Sequence, residues 1–582
     1  MDGRQLEDLV LKSPTHLSEP RYSATPESPA SAGTPTPPYT AILTPVVGGG
    51  DDDPKKVTGD VGAMEDGALR AGGMPNLFCR ENIGLLINYL CVGIVYGAFP
   101  KTIYPFLGYY LNMDGYQMSA ASVLVSLPWS FKMFIGIVSD SFPICGYRRK
   151  PYIVFGWSLC LLFLIIMACV PVEDPYYVKG EIQKHRDDID ARIVGNEHAA
   201  STGAKYIVLM MFASVGYVIA DVACDGVVVE FAQREPLDRR GHTQSMIYTA
   251  RFAAQTVSTA IVGFCFNGEE YGGEFSFSLS FNWVMVIIAC GAAVAIPSTW
   301  FFLPDEKVAG QLFATRCHEM WEIAKQRAIW QIMAFNFFNA LFYDMEAVPA
   351  SIVQRDWAQV EPINDTIFTV LAYFIMTVSI YVTQRYFLNV PWPAVILGTT
   401  VLCIAMDAVT SFLTIYDVLR NQWFYLGAPI LSYIPQGVRF IVSGYVTVEI
   451  AEPGFEATTY GLITTVHNLA SPFSTSISSQ IDANFDAHQK DLAEDTHYVR
   501  NQVAYCYLIM YAFKLVSNAW LVLLPRQKLE AQELRNRGGK SSIAAVIAFT
   551  IAAFSLVWSV MINLMSIFES TACLKIAGGD GC

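Results

Sequence analysis

Charge is scarce in this sequence. Of its 582 residues only 15% are Asp, Glu, Lys or Arg, against 53% hydrophobic, whereas soluble domains carry about 25% charged residues. Scarcity on that scale, with a mean hydropathy of +0.35, excludes an ordinary soluble domain and implies a polytopic membrane protein. The net charge is −14, so nucleic acid, which needs clustered Lys and Arg, is not an expected partner. Thirteen cysteines are present, yet no CxxC pair or metal-ligand spacing occurs. They read as small buried hydrophobes rather than ligands, with no metal or cofactor expected; Cys573 and Cys582 are the two that could pair in the tail. A glycine loop ending in Lys-Ser/Thr is also missing, so ATP hydrolysis is not expected as the driving force, and nothing suggests an enzyme. No early apolar core follows basic residues, so no cleaved signal peptide is expected. Glu7, Asp8, Glu19 and Glu27 argue against an organelle transit peptide.

What is there begins with contrast. Residues 1–76 are rich in Pro, Ser, Thr and Gly, include Asp51-Asp52-Asp53 and cannot bury a core, so a disordered tail is expected. Ser13-Pro14, Thr25-Pro26, Ser28-Pro29, Thr34-Pro35 and Thr36-Pro37 fit proline-directed phosphorylation, as they fit a plain solvated tail. Apolar segments long enough to cross hydrocarbon then fall near 82–106, 117–140, 151–172, 204–231, 244–266 and 281–303. A second set falls near 328–350, 364–385, 392–416, 424–450, 458–480 and 502–524, and a thirteenth segment at 541–567. The domain plan is therefore a first six-helix half (77–304), a cytoplasmic linker (305–327) and a second half (328–524). An amphipathic connector (525–540), an extra helix (541–567) and a tail (568–582) follow.

Basic residues orient the plan. Arg148-Arg149-Lys150, Arg234/Arg239/Arg240, Lys307/Arg316/Lys325/Arg327 and Arg526/Lys528/Arg535/Arg537/Lys540 all fall on one side, placing the N-terminus in the cytoplasm. Val227-Val-Val-Glu-Phe-Ala232 closes the fourth span and Val446-Thr-Val-Glu-Ile-Ala451 the tenth, which sets Glu230 and Glu449 as equivalents. Such a repeat at one point of two six-helix halves supports a duplicated 6+6 architecture, the major facilitator fold, in an all-α polytopic membrane protein.

One stretch, Pro128 to Tyr152, reads PWSFKMFIGIVSDSFPICGYRRKPY. Gly136-x-x-x-Asp140, then Gly146-x-Arg148-Arg149, resembles the motif of major facilitator proteins, with a longer loop between its parts. Gly136 would allow close helix approach, and Asp140 would meet an Arg or a helix N-terminus and latch one access state. The counterpart around Thr383-Gln-Arg385 lacks the glycine and the aspartate. The full stretch, with AxxxCDGxxVE (Ala220–Glu230), Glu452-Pro-Gly-Phe-Glu-Ala-Thr-Thr-Tyr-Gly-Leu462 and Thr464-Thr-x-x-Asn468, is similar to the folate–biopterin transporter family over residues 80–525. The resemblance implies a transporter of pterin-containing solutes. Some relatives of that family move S-adenosylmethionine instead.

Ionisable residues inside spans mark solute paths by default. In the major facilitator fold spans one, four, seven and ten line the cavity, and Lys101, Asp221, Asp225, Asp344, Glu346 and Arg439 fall on them. Lys132, Arg251, Asp407 and Lys514 lie on other spans. Asp221 and Asp225 share a helix face and, with Arg251 and Lys132, make either a closed salt-bridge cluster or a substrate site. For a folate-like cargo, Asp344 or Asp221 would take the ring's paired N–H donors. Lys101, Arg439 or Lys132 would take the carboxylates, and Trp129, Phe131 or Tyr217 would stack on the ring or simply pack. Asp344, Glu346, Asp407 and His467 are the proton-coupling candidates. Gly136, Asp140, Gly146, Arg148, Arg149, Glu230 and Glu449 are the gating set. The expected function is proton-coupled symport by alternating access, in the plasma membrane, with a small-molecule substrate and the lipid bilayer as partners. The rivals are transport of S-adenosylmethionine or another polar metabolite, and a non-transporting sensor whose buried charges are static.

Overall fold

The computed structural model describes residues 66–582 except 114, 186–190, 274, 309–312, 361, 483, 488, 566–568, 573 and 575–582. The expected phosphosites, the Asp51–Asp53 run and the Cys573/Cys582 pair lie outside the described residues. The described chain is almost wholly helical. Its first half comprises α1 (Ile83–Tyr110), α2 (Ala121–Ser141), α3 (Lys150–Cys169), α4 (Gly203–Gln233), α5 (His242–Cys265) and α6 (Phe281–Phe302). The second comprises α7 (Arg327–Tyr343), α8 (Ile363–Phe387), α9 (Trp392–Ile415), α10 (Tyr433–Ile450), α11 (Glu456–Asp482) and α12 (His497–Leu523). A thirteenth helix, α13 (Ser542–Met565), packs on α11 and α7.

Nine of the described helices are long and apolar enough to cross a membrane. Helices α5, α10 and α11 are not among them, because they spend hydrophobic positions on polar groups such as Arg251, Arg439 and Thr465, and α7, at 17 residues, is too short. A helix can carry such groups through hydrocarbon only when neighbouring helices satisfy them. Helix α7 also stops earlier than the expected 350. Pro349 cannot donate to a helix and disfavours helical Val348, and the Val348 amide donates to Asp482 Oδ2 at 2.8 Å instead.

Two seams join the halves, α2 against α11 and α5 against α8. At the first, glycine lets backbones touch. A Cβ at Gly136 would stand 2.5 Å from the Ala457 carbonyl oxygen, and one at Gly461 would stand 2.7 Å from that of Lys132. The linker helix Phe313–Ala324 joins the two sets, and the connector helix Lys528–Arg537 packs against α10 and α7. Lys540 Nζ bonds Glu322 at 3.1 Å, and Ser541 N donates to the Lys325 carbonyl at 2.9 Å, so the two links are stapled together.

Residues 66–76, expected within the disordered tail, are packed. Leu69 N and Arg70 N both donate to the Gln233 carbonyl (2.9 and 3.0 Å), and Leu237 N donates to that of Asp66 at 3.0 Å. The segment gains order from the α4–α5 turn rather than from a core of its own.

Candidate functional site: two buried charge clusters

The deeper cluster sits about two turns in from the end of the bundle that carries Arg149. Lys132 of α2 reaches Asp221 Oδ2 at 2.8 Å and Asp225 Oδ2 at 2.6 Å, both on α4. Arg251 Nη1 of α5 stands 3.7 Å from Asp221 Oδ1. All four side chains are buried, two cations against two anions. Such a set survives in low dielectric only when paired and hydrogen-bonded. Tyr89 and Tyr248 donate to Asp225 Oδ1 at 2.6 and 3.2 Å, and Tyr248 touches the hydroxyl of Tyr460 on α11. The walls are aromatic: Arg251 lies over Trp129 (5.0 Å), Tyr96 (5.1 Å) and Tyr248 (5.9 Å), and Lys132 over Trp129 (4.9 Å). Asp221 Oδ1 and Arg251 Nε are buried without a hydrogen-bond partner among the described residues. The site can therefore present one acceptor and one donor to a polar solute between aromatic rings.

The second cluster closes the basic end. Arg149 reaches Asp140 Oδ1 (2.6 Å), Glu230 Oε1 (3.0 Å) and Glu456 Oε2 (3.0 Å). Thr458, in the first turn of α11, donates both its amide and its hydroxyl to Asp140 Oδ2, each at 2.7 Å. Arg148 lies 3.8 Å from Glu230 and 3.9 Å from Glu456. Arg70 contacts Glu456 and stands 3.7 Å from Glu230. Three arginines thus hold three carboxylates across the seam between halves. Gly146, at φ +86°, turns the chain so that Arg148 and Arg149 point inward. The equivalent glutamate of the second half, Glu449, is held across the same boundary by Arg240 at 2.8 Å, with Gln532 of the connector at 2.7 Å. Next to it Glu235 accepts from Gly241 N and Thr243 N, both at 2.7 Å. Burial pushes its carboxyl up to about 7, against the pull of those bonds. Burial likewise brings Lys528 down to about 8.

At the opposite end the ion pair joining the halves, among the described residues, is Lys101 with Asp365, 3.7 Å apart and partly exposed. The second half keeps its own deep cations. Arg439 of α10 donates to Asn339 Oδ1 (2.6 Å) and Thr400 Oγ1 (2.8 Å), and lies 3.6 Å from the Tyr343 ring centroid. Lys514 of α12 donates to the Tyr343 carbonyl at 3.0 Å. Asp407 accepts from Tyr511 at 2.8 Å. Asp344 is half-buried just past α7, whereas Glu346 and His467 are exposed. Sequence reasoning overlooked Arg70, Arg240, Glu456 and the tyrosines. Glu456 had a signal, since an acid after Pro453-Gly454 opens a helix; buried tyrosines leave none.

Thirteen helices in this order, with paired α2/α11 and α5/α8 seams, define a multi-pass membrane protein of the major facilitator fold. A solved D-xylose–proton symporter overlays it with a TM-score of 0.52 at 10% identity, over 76% of this chain and 97% of that one. The xylose symporter bound to 6-bromo-6-deoxy-D-glucose gives 0.51 at 11%, over 80% and 98%. Within that fold the sequence points further. Residues 93–179 match the BT1 family. The folate-biopterin transporter of Synechocystis sp. is 23% identical over 415 residues, 69% of this chain and 74% of that one. Folate transporter 1 of Plasmodium falciparum is 39% identical over 66 residues, 10% and 13% of the two chains. These matches show the resemblance to the folate–biopterin transporters, which are transporters and not enzymes.

Proposed function

We propose that the protein is a secondary transporter of folate- or pterin-type solutes, working by alternating access and coupled to protons. The observation that carries the reading is the Lys132–Asp221–Asp225–Arg251 cluster with its aromatic walls and its two polar atoms, Asp221 Oδ1 and Arg251 Nε, that have no hydrogen-bond partner among the described residues. A flat heterocycle with adjacent donors fits an acceptor between aromatic rings, and the kinship with folate–biopterin transporters favours that cargo. The Arg149 cluster then acts as the gate of the cytoplasmic side, with the N-terminus on that side, in the plasma membrane. Rocking of the halves would separate Glu456 and Thr458 from Arg149 and Asp140. Asp344, Glu346, Asp407 and His467 are the proposed proton carriers.

The test is uptake of labelled folate by cells lacking their own route, at acidic and at neutral outside pH, with Asp221→Asn beside wild type at matched surface expression. Uptake that rises in acid and is lost in the variant supports the reading. Uptake indifferent to pH removes proton coupling, and no folate or biopterin uptake at either pH sinks the cargo.

A further inference from the structure

Three cations on the membrane-spanning helices are candidates to hold the carboxylates of a folate-like solute, and their surroundings differ. Lys132 is neutralised by two aspartates within 2.8 Å. Lys101 is matched to Asp365 and also donates to Thr369 Oγ1 at 3.2 Å. Arg439 has no carboxylate within 4.0 Å among the described residues. Its guanidinium is held by neutral groups on two other helices, Asn339 of α7 and Thr400 of α9, and lies over the ring of Tyr343. Lys514 approaches that same ring at 5.0 Å and likewise has no carboxylate within 4.0 Å. Two acids act on these cations electrostatically without pairing with them: Asp344, which caps the end of α7, on Arg439, and Asp407, which accepts from Tyr511, on Lys514. Ser443, one turn from Arg439 on α10, donates to Asn336 at 2.9 Å, so the polar face continues along the helix.

Arg439 and Lys514 are half-buried, and a cation held between membrane-spanning helices without a paired anion is costly unless a ligand supplies the charge. Guanidinium is also the group best shaped to grip a carboxylate in two parallel bonds. We propose that Arg439, assisted by Lys514, is the carboxylate-binding subsite of the second half and sets preference for acidic over uncharged pterins. The Lys132 cluster of the first half takes the heterocycle in both cases. This rests on the function proposed above and names the part of the cargo that the second half reads.

The experiment compares labelled folate, which carries a glutamate tail, with labelled biopterin, which has the ring and no carboxylate. Both are measured on the full-length chain in cells. Arg439→Gln is expected to raise the KM for folate about ten-fold, the scale of one lost charge-assisted contact, while the KM for biopterin stays within about two-fold. Arg439→Lys, which keeps the charge, should retain most of the preference and guards against a folding defect in the glutamine variant. Equal loss of both solutes in Arg439→Gln and Arg439→Lys at matched surface level, or an unchanged folate KM, overturns the proposal. If wild type moves biopterin but not folate, the carboxylate subsite is also wrong, while the pterin reading stands. If it moves neither, the transport reading itself has failed.

Discussion

In the first half each deep cation meets an acid: Lys132 holds Asp221 and Asp225, and Arg251 faces Asp221. In the second half Arg439 and Lys514 meet an amide, a hydroxyl, a ring and a carbonyl. Two six-helix units with the same plan thus handle charge between their helices in opposite ways, buried in the first and half-buried in the second. The first is internally neutral and rigidly paired. The second keeps positive charge on neutral donors and acceptors. The difference teaches that one helix plan, with glutamates at matching ends of α4 and α10, can hold its interior cations in two ways.

The sharpest way to break the comparison is to delete one cation from each half. Lys132→Met leaves two buried aspartates with one distant arginine, and should cost about 3–5 kcal/mol. Arg439→Met strips hydrogen bonds from neutral partners and strands no charge, so about 1–3 kcal/mol is expected. Thermal unfolding of the purified proteins decides. Equal costs would mean that the halves do not differ as described, and partial rescue of Lys132→Met by Asp225→Asn would confirm the pairing.

A smaller effect separates the Arg149 cluster from both interiors. Asp140→Ala removes the acceptor of Arg149 and of Thr458, and should lower transport rate while leaving substrate KM nearly unchanged. Arg70→Ala loosens the same closure from a partly exposed position. It should therefore shift it by about 1 kcal/mol or less, read as faster thiol labelling of a cysteine placed at Thr458. A rise in KM without a fall in rate for Asp140→Ala would show that this cluster touches substrate instead.

A separate contrast is in pH dependence. Glu235 has its folded value raised from 4.5 to about 7, so the stability it contributes is fully present below 4.5 and is lost as pH rises through about 7. Glu235→Gln should flatten the fall of melting temperature across that window. An identical pH slope in the variant would show that the carboxylate stays charged throughout.

Much of the fold was legible because the signals are local. Twenty-odd apolar residues mean a span, and Glu230 and Glu449 announce their equivalence by the residues around them. The close approach at Gly136 and the pairing of Asp140 with an arginine were legible for the same reason. The partners across the seam were not. Thr458 is 318 positions from Asp140, and no periodicity links them. Arg70 hides in a Gly-rich stretch that carries no helical pattern, and its order comes from Gln233 and Glu456. Sequence alone put Asp221 and Asp225 on one face of one helix, but left open whether Lys132, Lys101 or Arg439 was free to hold an anion.

Composition and apolar run length by themselves determined that this chain crosses the membrane many times in two matched halves, since burying backbone in hydrocarbon allows few other solutions. Only the tertiary structure decided which charges cancel. Coulomb attraction in a low dielectric acts across helices, over a few ångströms of space rather than along the chain.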